Sequence, residues 1–187
     1  MSEASSELPR VEIRHEPGDF RVDEVPAYEP VGQGEHLYLH LRKSGLDTMT
    51  AVTMLARRLK VAPRDVGTAG LKDRHAVTTQ WMSLPWPMRN ELPATDALSG
   101  EGIEVLAVAR HNNKLRTGHL RGNRFTLVLR GIDATKRDAL AQALERLGVT
   151  GLPNRFGGQR FGRDGDNATQ ARAWLANRQP APRHPRV

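Results

Sequence analysis

Asp73 stands between Lys72 and Arg74 in the stretch GTAGLKDRHAVTTQWMSL, with His75 directly after them. A carboxylate flanked by two permanent cations is expected to stay ionised, because opposite charge nearby favours the charged form. An ionised Asp is a poor general acid. It is a good nucleophile, or a good stabiliser of positive charge developing at an anomeric carbon. The flanking cations could hold phosphates beside the reacting centre, and Thr78, Thr79 and Gln80 add polar groups just downstream. The plainer alternative is that Asp73 is a turn residue whose basic neighbours are solvated, since Asp favours turns.

Other chemistries find little support. The chain has no cysteine, which removes disulfides, thiolate metal sites and cysteine nucleophiles. His36 and His40 have a suggestive i, i+4 spacing. On a strand, however, they would lie roughly 13 Å apart, too far to chelate one ion. No metal site and no cofactor are expected. Asp164 and Asp166 read as caps of the last helix.

The elements that must position Asp73 can be read from pattern. Leu37, Leu39 and Leu41 alternate with His36, Tyr38 and His40, which predicts a half-buried strand. DTMTAVTMLARRLK predicts a helix with Asp47 as N-cap and Val52, Leu55, Ala56 and Leu59 as its apolar stripe. Val66–Ala69 and Ala76–Leu84 read as strands on either side of GLKDRH. GIEVLAVAR and NRFTLVLRG read as two more. TKRDALAQALERLG reads as a helix presenting Leu140, Leu144 and Leu147, with Gly148 as its stop. GLPNRFGGQRFGRDGDN is a glycine-rich loop, NATQARAWLANR a short helix, and QPAPRHPRV a Pro-rich tail. Mixed helices and strands without regular βαβ spacing predict an α+β fold with a largely antiparallel mixed sheet flanked by helices.

Net charge is +7 and unevenly spread. Residues 1–50 carry five basic and ten acidic side chains, against 23 and 11 in residues 51–187. Such a surface attracts a polyanion, and the excess of Arg over Lys suits phosphate and base recognition. RHNNKLRTGHLRGNRFTLVLR places Arg110, Lys114, Arg116, Arg121, Arg124 and Arg130 in 21 residues without an acid, which predicts an RNA-backbone track. NRFGGQRFGR adds Arg155, Arg160 and Arg163 beside glycines that let backbone approach phosphate. The N-terminus lacks an apolar core, and no run approaches the ~18 apolar residues of a membrane span, so a soluble cytoplasmic protein is expected, with a monomer as the default.

AGLKDRHAVTTQ resembles the signature of the TruD family of tRNA pseudouridine synthases. GDFRVDEVPAYEPVGQGEHLYLHLRKSG, HNNKLRTGHLRGNRFTLVLR and NRFGGQRFGRDGDN resemble its other motifs, in the same order, so the likeness runs from about Asp19 to about Asn167. The resemblance implies a pseudouridine-synthase-like fold and isomerisation of uridine to pseudouridine, at position 13 of tRNA, without metal or cofactor. It implies that Asp73 is the catalytic carboxylate, acting on ribose or base, with Phe125 against the target base and Asn123 close by. Periodicity alone would instead make Phe125 a core residue, in a row with Leu127 and Leu129. Phe20, Arg21 and Glu24 match an N-terminal family motif expected near the cleft. Together with Lys72, Arg74, Arg116, Arg121, Arg124, Arg155 and Arg160, these three are the expected RNA contacts.

The family's chain continues past the NRFGGQRFG motif. Residues 11–160 are therefore expected to be the N-terminal part of a catalytic domain incomplete at its C-terminus, and 161–187 the start of an inserted domain and an unstructured tail, while the polar residues 1–10 read as a disordered leader. The competing reading is a non-catalytic RNA-binding fragment that keeps the basic surface.

Overall fold

The computed structural model describes residues 11–153 and 166–176. The leader, the tail, and the loop carrying Arg155, Arg160, Arg163 and Asp164 lie outside them. The chain divides into two compact units, Met1–Asp133 and Ala134–Val187. The last strand of the first unit ends at Arg130, and a helix starts at Ala134.

The first unit is built on β2 (Phe20–Pro26), β3 (His36–Ser44), β5 (Val77–Pro85), β6 (Ile103–His111) and β7 (Leu120–Leu127). Their order across the sheet is β6-β3-β5-β2-β7, with β4 (Gly67–Thr68) added to β5. Only β2 and β5 run parallel; β6–β3, β3–β5, β4–β5 and β2–β7 are antiparallel. The sheet is thus mixed and largely antiparallel, as the spacing predicts. β1 (Glu12–Ile13) pairs separately with β8 (Leu129–Arg130). The strand expected over 123–131 breaks at Val128, whose N–H turns to the Asp19 carbonyl at 2.8 Å.

Helix α1 (Thr48–Leu59) covers one face of the sheet. Asp47 caps it as predicted, accepting the Thr50 N–H at 2.8 Å. Ala51, Val52 and Leu55 pack with Leu37, Leu39, Leu41, Met82, Leu84, Ile103 and Val105, joined by Leu98 of α2 (Thr95–Leu98). Each large aliphatic residue so buried contributes about 1.5–3 kcal/mol. On the other face Tyr38 and Trp81 pack with Ala69 and Leu115. β3 keeps the half-buried character its alternation predicts: Leu37, Leu39 and Leu41 are buried, while His36, His40, Arg42 and Ser44 on the other face are partly or fully exposed, and only Tyr38 on that face is as enclosed as its leucine neighbours. Gly67 is required where it stands, since a Cβ there would run into the Leu115 carbonyl oxygen.

The second unit contains α3 (Ala134–Thr150) and α4 (Asn167–Leu175). Helix α3 runs through Gly148, contrary to the expected stop there. Termination falls to Gly151, whose φ of 75° lets its N–H return to the Leu147 carbonyl at 2.8 Å. Asp166 occupies the N-cap position of α4 but caps no backbone N–H, and its carboxylate takes a hydrogen bond from the Gln170 side chain instead.

Candidate active site

The turn between β4 and β5 carries Lys72, Asp73, Arg74 and His75, and it is tied down from three directions. The Lys72 N–H donates to the Thr48 hydroxyl at 2.8 Å, which fastens the turn to the first residue of α1. Thr48 in turn donates to Gln80 Oε1 at 3.1 Å. The Lys72 ammonium donates to Glu24 Oε2 at 2.7 Å, with the two side chains 4% and 1% exposed. Glu24 Oε1 also accepts the Trp81 N–H at 3.1 Å, just past the Asp23–Thr79 pair that ends the β2–β5 ladder. Lys72 and Glu24 therefore face each other inside the protein and not the RNA-facing surface on which they were expected.

The third tie is Lys43. Its ammonium donates to the carbonyls of Leu46 at 2.6 Å, Asp73 at 2.8 Å and Lys72 at 3.3 Å. The residue is fully buried. Loss of water pushes its pKa down to about 8, a shift that Asp47 and Asp73 oppose and Lys72 reinforces.

The Asp73 carboxylate itself is 60% exposed, and its charged contact is Arg14, at 3.4 Å. Neither sequence neighbour has a side-chain contact with the Asp73 carboxylate. Lys72 points inward to Glu24, and Arg74 donates to the Gly45 carbonyl at 3.1 Å. In an extended turn, adjacent side chains leave in different directions, so flanking residues rarely meet one another. Arg14 reaches the site from across the chain. Its φ of 59° is unusual for a residue with a side chain. His75 Nε2 donates to its carbonyl at 3.1 Å, and its guanidinium lies 3.9 Å from the Phe20 ring centroid.

Phe20 leads on to Phe125. Their rings stack with centroids 6.0 Å apart and planes inclined by 17°. The β2–β7 register explains this: Phe20 opposes Leu127, Val22 opposes Phe125 and Glu24 opposes Asn123. Residues opposite in an antiparallel pair share a face. Asn123, Phe125 and Leu127 thus belong to the face that carries Glu24 and, further across the sheet, α1. α1 covers β3 and β5, whereas β7 stays open there, with Phe125 56% exposed. The core placement that periodicity suggests for Phe125 does not hold, because β7 is an edge strand among the described residues.

The same alternation separates the other candidates. Arg21 and Arg124 sit on the opposite face, Arg21 opposite Thr126 and Arg124 opposite Asp23. Arg21 lines a cavity of about 370 Å³ there with Asp23, Arg42, Val77 and Thr79. Of the expected RNA track, Arg110 is held by the carbonyls of Gly34 and Asn90, among others. Arg130 is held by Asp19, at 2.7 and 2.8 Å, and by Glu16. Lys114 donates to the Arg64 carbonyl. Arg116, Arg121 and Arg124 are exposed, and their side chains make no hydrogen bond or ion pair among the described residues.

Two residues of this site were not foreseen. Lys43 could have been found, since it continues the core-facing row Leu37, Leu39, Leu41 on one strand face, where a charge is out of place. Arg14 could not, because its contact with Asp73 spans 59 residues of sequence.

Among the described residues no group of three or more His, Asp or Glu could hold a metal ion, and no helix is long and apolar enough to cross a membrane.

A family model described as tRNA pseudouridine synthase D (TruD) matches residues 5–176. A tRNA pseudouridine synthase D of Anaeromyxobacter sp. (strain Fw109-5) is 55% identical over 163 residues, covering 87% of this chain and 45% of the relative. One from Anaeromyxobacter dehalogenans (strain 2CP-C) is 55% identical over 161 residues, covering 86% and 45%. A crystal structure described as that of a tRNA pseudouridine synthase D from Methanosarcina mazei superposes with a TM-score of 0.73 at 25% identity, over 94% of this chain and 44% of that one. The chain thus spans less than half the length of these relatives.

Proposed function

Since this chain belongs to the TruD family of tRNA pseudouridine synthases, we propose that it carries the uridine-isomerising site of such an enzyme, acting on tRNA at position 13. One observation supports this above the others: the exposed Asp73 carboxylate, paired with Arg14, stands at the sheet face whose open edge presents Asn123 and Phe125. In the reaction the N1–C1′ bond breaks, the uracil turns, and a C5–C1′ bond forms. The C5 proton leaves and N1 gains one, so the sum is an isomerisation that balances without a redox partner.

Asp73 is the catalytic carboxylate in this reading, attacking or stabilising the reacting centre on ribose or base while Arg14, in contact at 3.4 Å, aims it. The target uridine must leave the stack to reach it. Phe125 offers it an exposed ring, backed by Phe20, and Asn123 offers an amide on the same strand face. Glu24 and Lys72 support the turn from within. Arg74, Arg116 and Arg121 take the phosphates near the site. Arg21 and Arg124, on the reverse face, contact RNA away from the flipped base, and Arg155 and Arg160 extend the contact. Residues 11–160 are read as the N-terminal part of the catalytic domain and 161–187 as the start of an insertion.

The test is pseudouridine formation in an unmodified tRNA transcript, with Asp73→Asn alongside. Turnover that disappears in the variant while tRNA affinity stays within about threefold upholds the reading, since a carboxylate-to-amide change spares the phosphate contacts that carry affinity. Turnover that survives in Asp73→Asn overturns it. A wild-type chain that binds tRNA without turnover is a binding module and not an isomerase.

A further inference from the structure

The Asp73 carboxylate is exposed, and among the described residues Arg14 alone touches it with a charged group. Its position must come from the backbone beneath. Two side chains reach that backbone from the sheet and helix. Thr48 holds the Lys72 N–H, and Lys43 holds the carbonyls of both Lys72 and Asp73.

Lys43 is the unusual one. It occupies the fourth core-facing position in a row whose first three are Leu37, Leu39 and Leu41. A residue retained only to fill that space would be apolar, because a buried ammonium is costly unless it is fully bonded. The neighbouring Lys72 is buried too, but it has a carboxylate partner in Glu24. Among the described residues Lys43 has none in contact. Its three N–H donors meet three carbonyl oxygens, at Leu46, Lys72 and Asp73. These belong to two separate segments, the β3–α1 connection and the Asp73 turn, and Lys43 itself sits on β3. One ammonium thus binds strand, helix entry and turn together.

We propose that Lys43 is the positioning residue of this site, and that its ammonium, by gathering those three carbonyls, sets where the Asp73 carboxylate stands above the sheet. The proposal rests on the reading of Asp73 as the reacting carboxylate. It puts a buried ammonium beneath the Asp73 turn, where the sequence places only the cations Lys72 and Arg74 beside it. The charged groups acting on this ammonium are Asp47 at the entry to α1, Asp73 itself, and Lys72.

The experiment compares wild type, Lys43→Met and Lys43→Arg in the 187-residue chain, with two readouts. Amide hydrogen exchange follows the turn, residues 70–75, against β6 as a reference for global opening. Single-turnover isomerisation is measured beside affinity for the unmodified tRNA transcript. Lys43→Met should raise exchange in the turn about tenfold or more while β6 changes by less than about twofold. It should lower the rate by about 10- to 100-fold with affinity nearly unchanged, the mark of a misplaced group. Lys43→Arg, which keeps the charge and several donors, should recover much of the protection and rate. Protection and rate unchanged in Lys43→Met overturn the proposal. Exchange that rises equally in β6 also overturns it, since Lys43 would then be only structural. If wild type shows no turnover, the reading of Asp73 fails, and exchange in the turn decides the role of Lys43 alone. If Lys43→Met does not fold, Lys43→Gln decides: wild-type protection of its turn overturns the proposal, and a selectively loosened turn upholds it.

Discussion

Phe20 and Phe125 face each other across β2 and β7, with ring centroids 6.0 Å apart and planes only 17° from parallel. One is buried and the other exposed, so the pair forms a half-finished stack with an open outer ring. An unpaired nucleobase is the natural third member of such a stack, as base–aromatic stacking contributes about 1–3 kcal/mol. Phe125→Ala should therefore weaken tRNA binding or raise the half-saturating tRNA concentration by about 5- to 150-fold. The melting temperature should move little, because the ring is already mostly in solvent. A loss of stability with affinity intact would place Phe125 in the core after all.

The Glu24–Lys72 pair should behave as buried pairs do. Removing one partner alone, as in Glu24→Gln or Lys72→Met, strands a charge and should cost about 3–5 kcal/mol in urea unfolding. The double variant should cost clearly less than the sum of the two. Additive losses would mean that the side chains do not interact across the 2.7 Å contact.

Acid stability should report Asp19. The Arg130 guanidinium holds its pKa down to about 2, from an ordinary 3.8. A carboxyl with a lowered folded pKa contributes stability that is complete above the unfolded value. That contribution fades as pH falls from about 4 to about 2. Melting temperature measured across this window should drop in wild type, and Asp19→Asn should be less stable at neutral pH but flatter with acid. Equal slopes in the two proteins would remove Asp19 as the source.

Lys43 gives the opposite edge. Its folded pKa of about 8 lies below the ordinary 10.5, so the unfolded chain binds the extra proton between those values. Stability from this group should rise as pH climbs through that window, and Lys43→Met should abolish the rise. A wild-type melting curve that only falls from pH 8 upward, with the same shape in the variant, would contradict the assignment.

The basic residues should sort by salt. Arg121→Gln should weaken tRNA binding and reduce the slope of log affinity against log salt by about 0.7 for a single-stranded contact. Arg110→Gln and Arg130→Gln should instead lower the melting temperature and leave the slope as it was, since backbone carbonyls hold the first and Asp19 the second. A slope change in Arg130→Gln comparable with that in Arg121→Gln would return Arg130 to the RNA surface.

What the sequence determined by itself is local and periodic. Alternation marked the strands β3, β5 and β6, Asp47 marked the start of α1, and the order of four motifs around Asp73 identified the family. These signals survive without a fold because they depend on residues within a few positions of each other. Tertiary structure decided which face each side chain joined and what it met there. It turned Lys72 inward to Glu24, brought Arg14 to Asp73 across 59 residues, and left Phe125 at an open edge where periodicity read a core. It also divided the arginines between two faces of one sheet, a consequence of the β2–β7 register. Charge counts along a chain say how strong a field can be. Only strand pairing says where it points, because a shift of one residue in register moves every side chain to the other side.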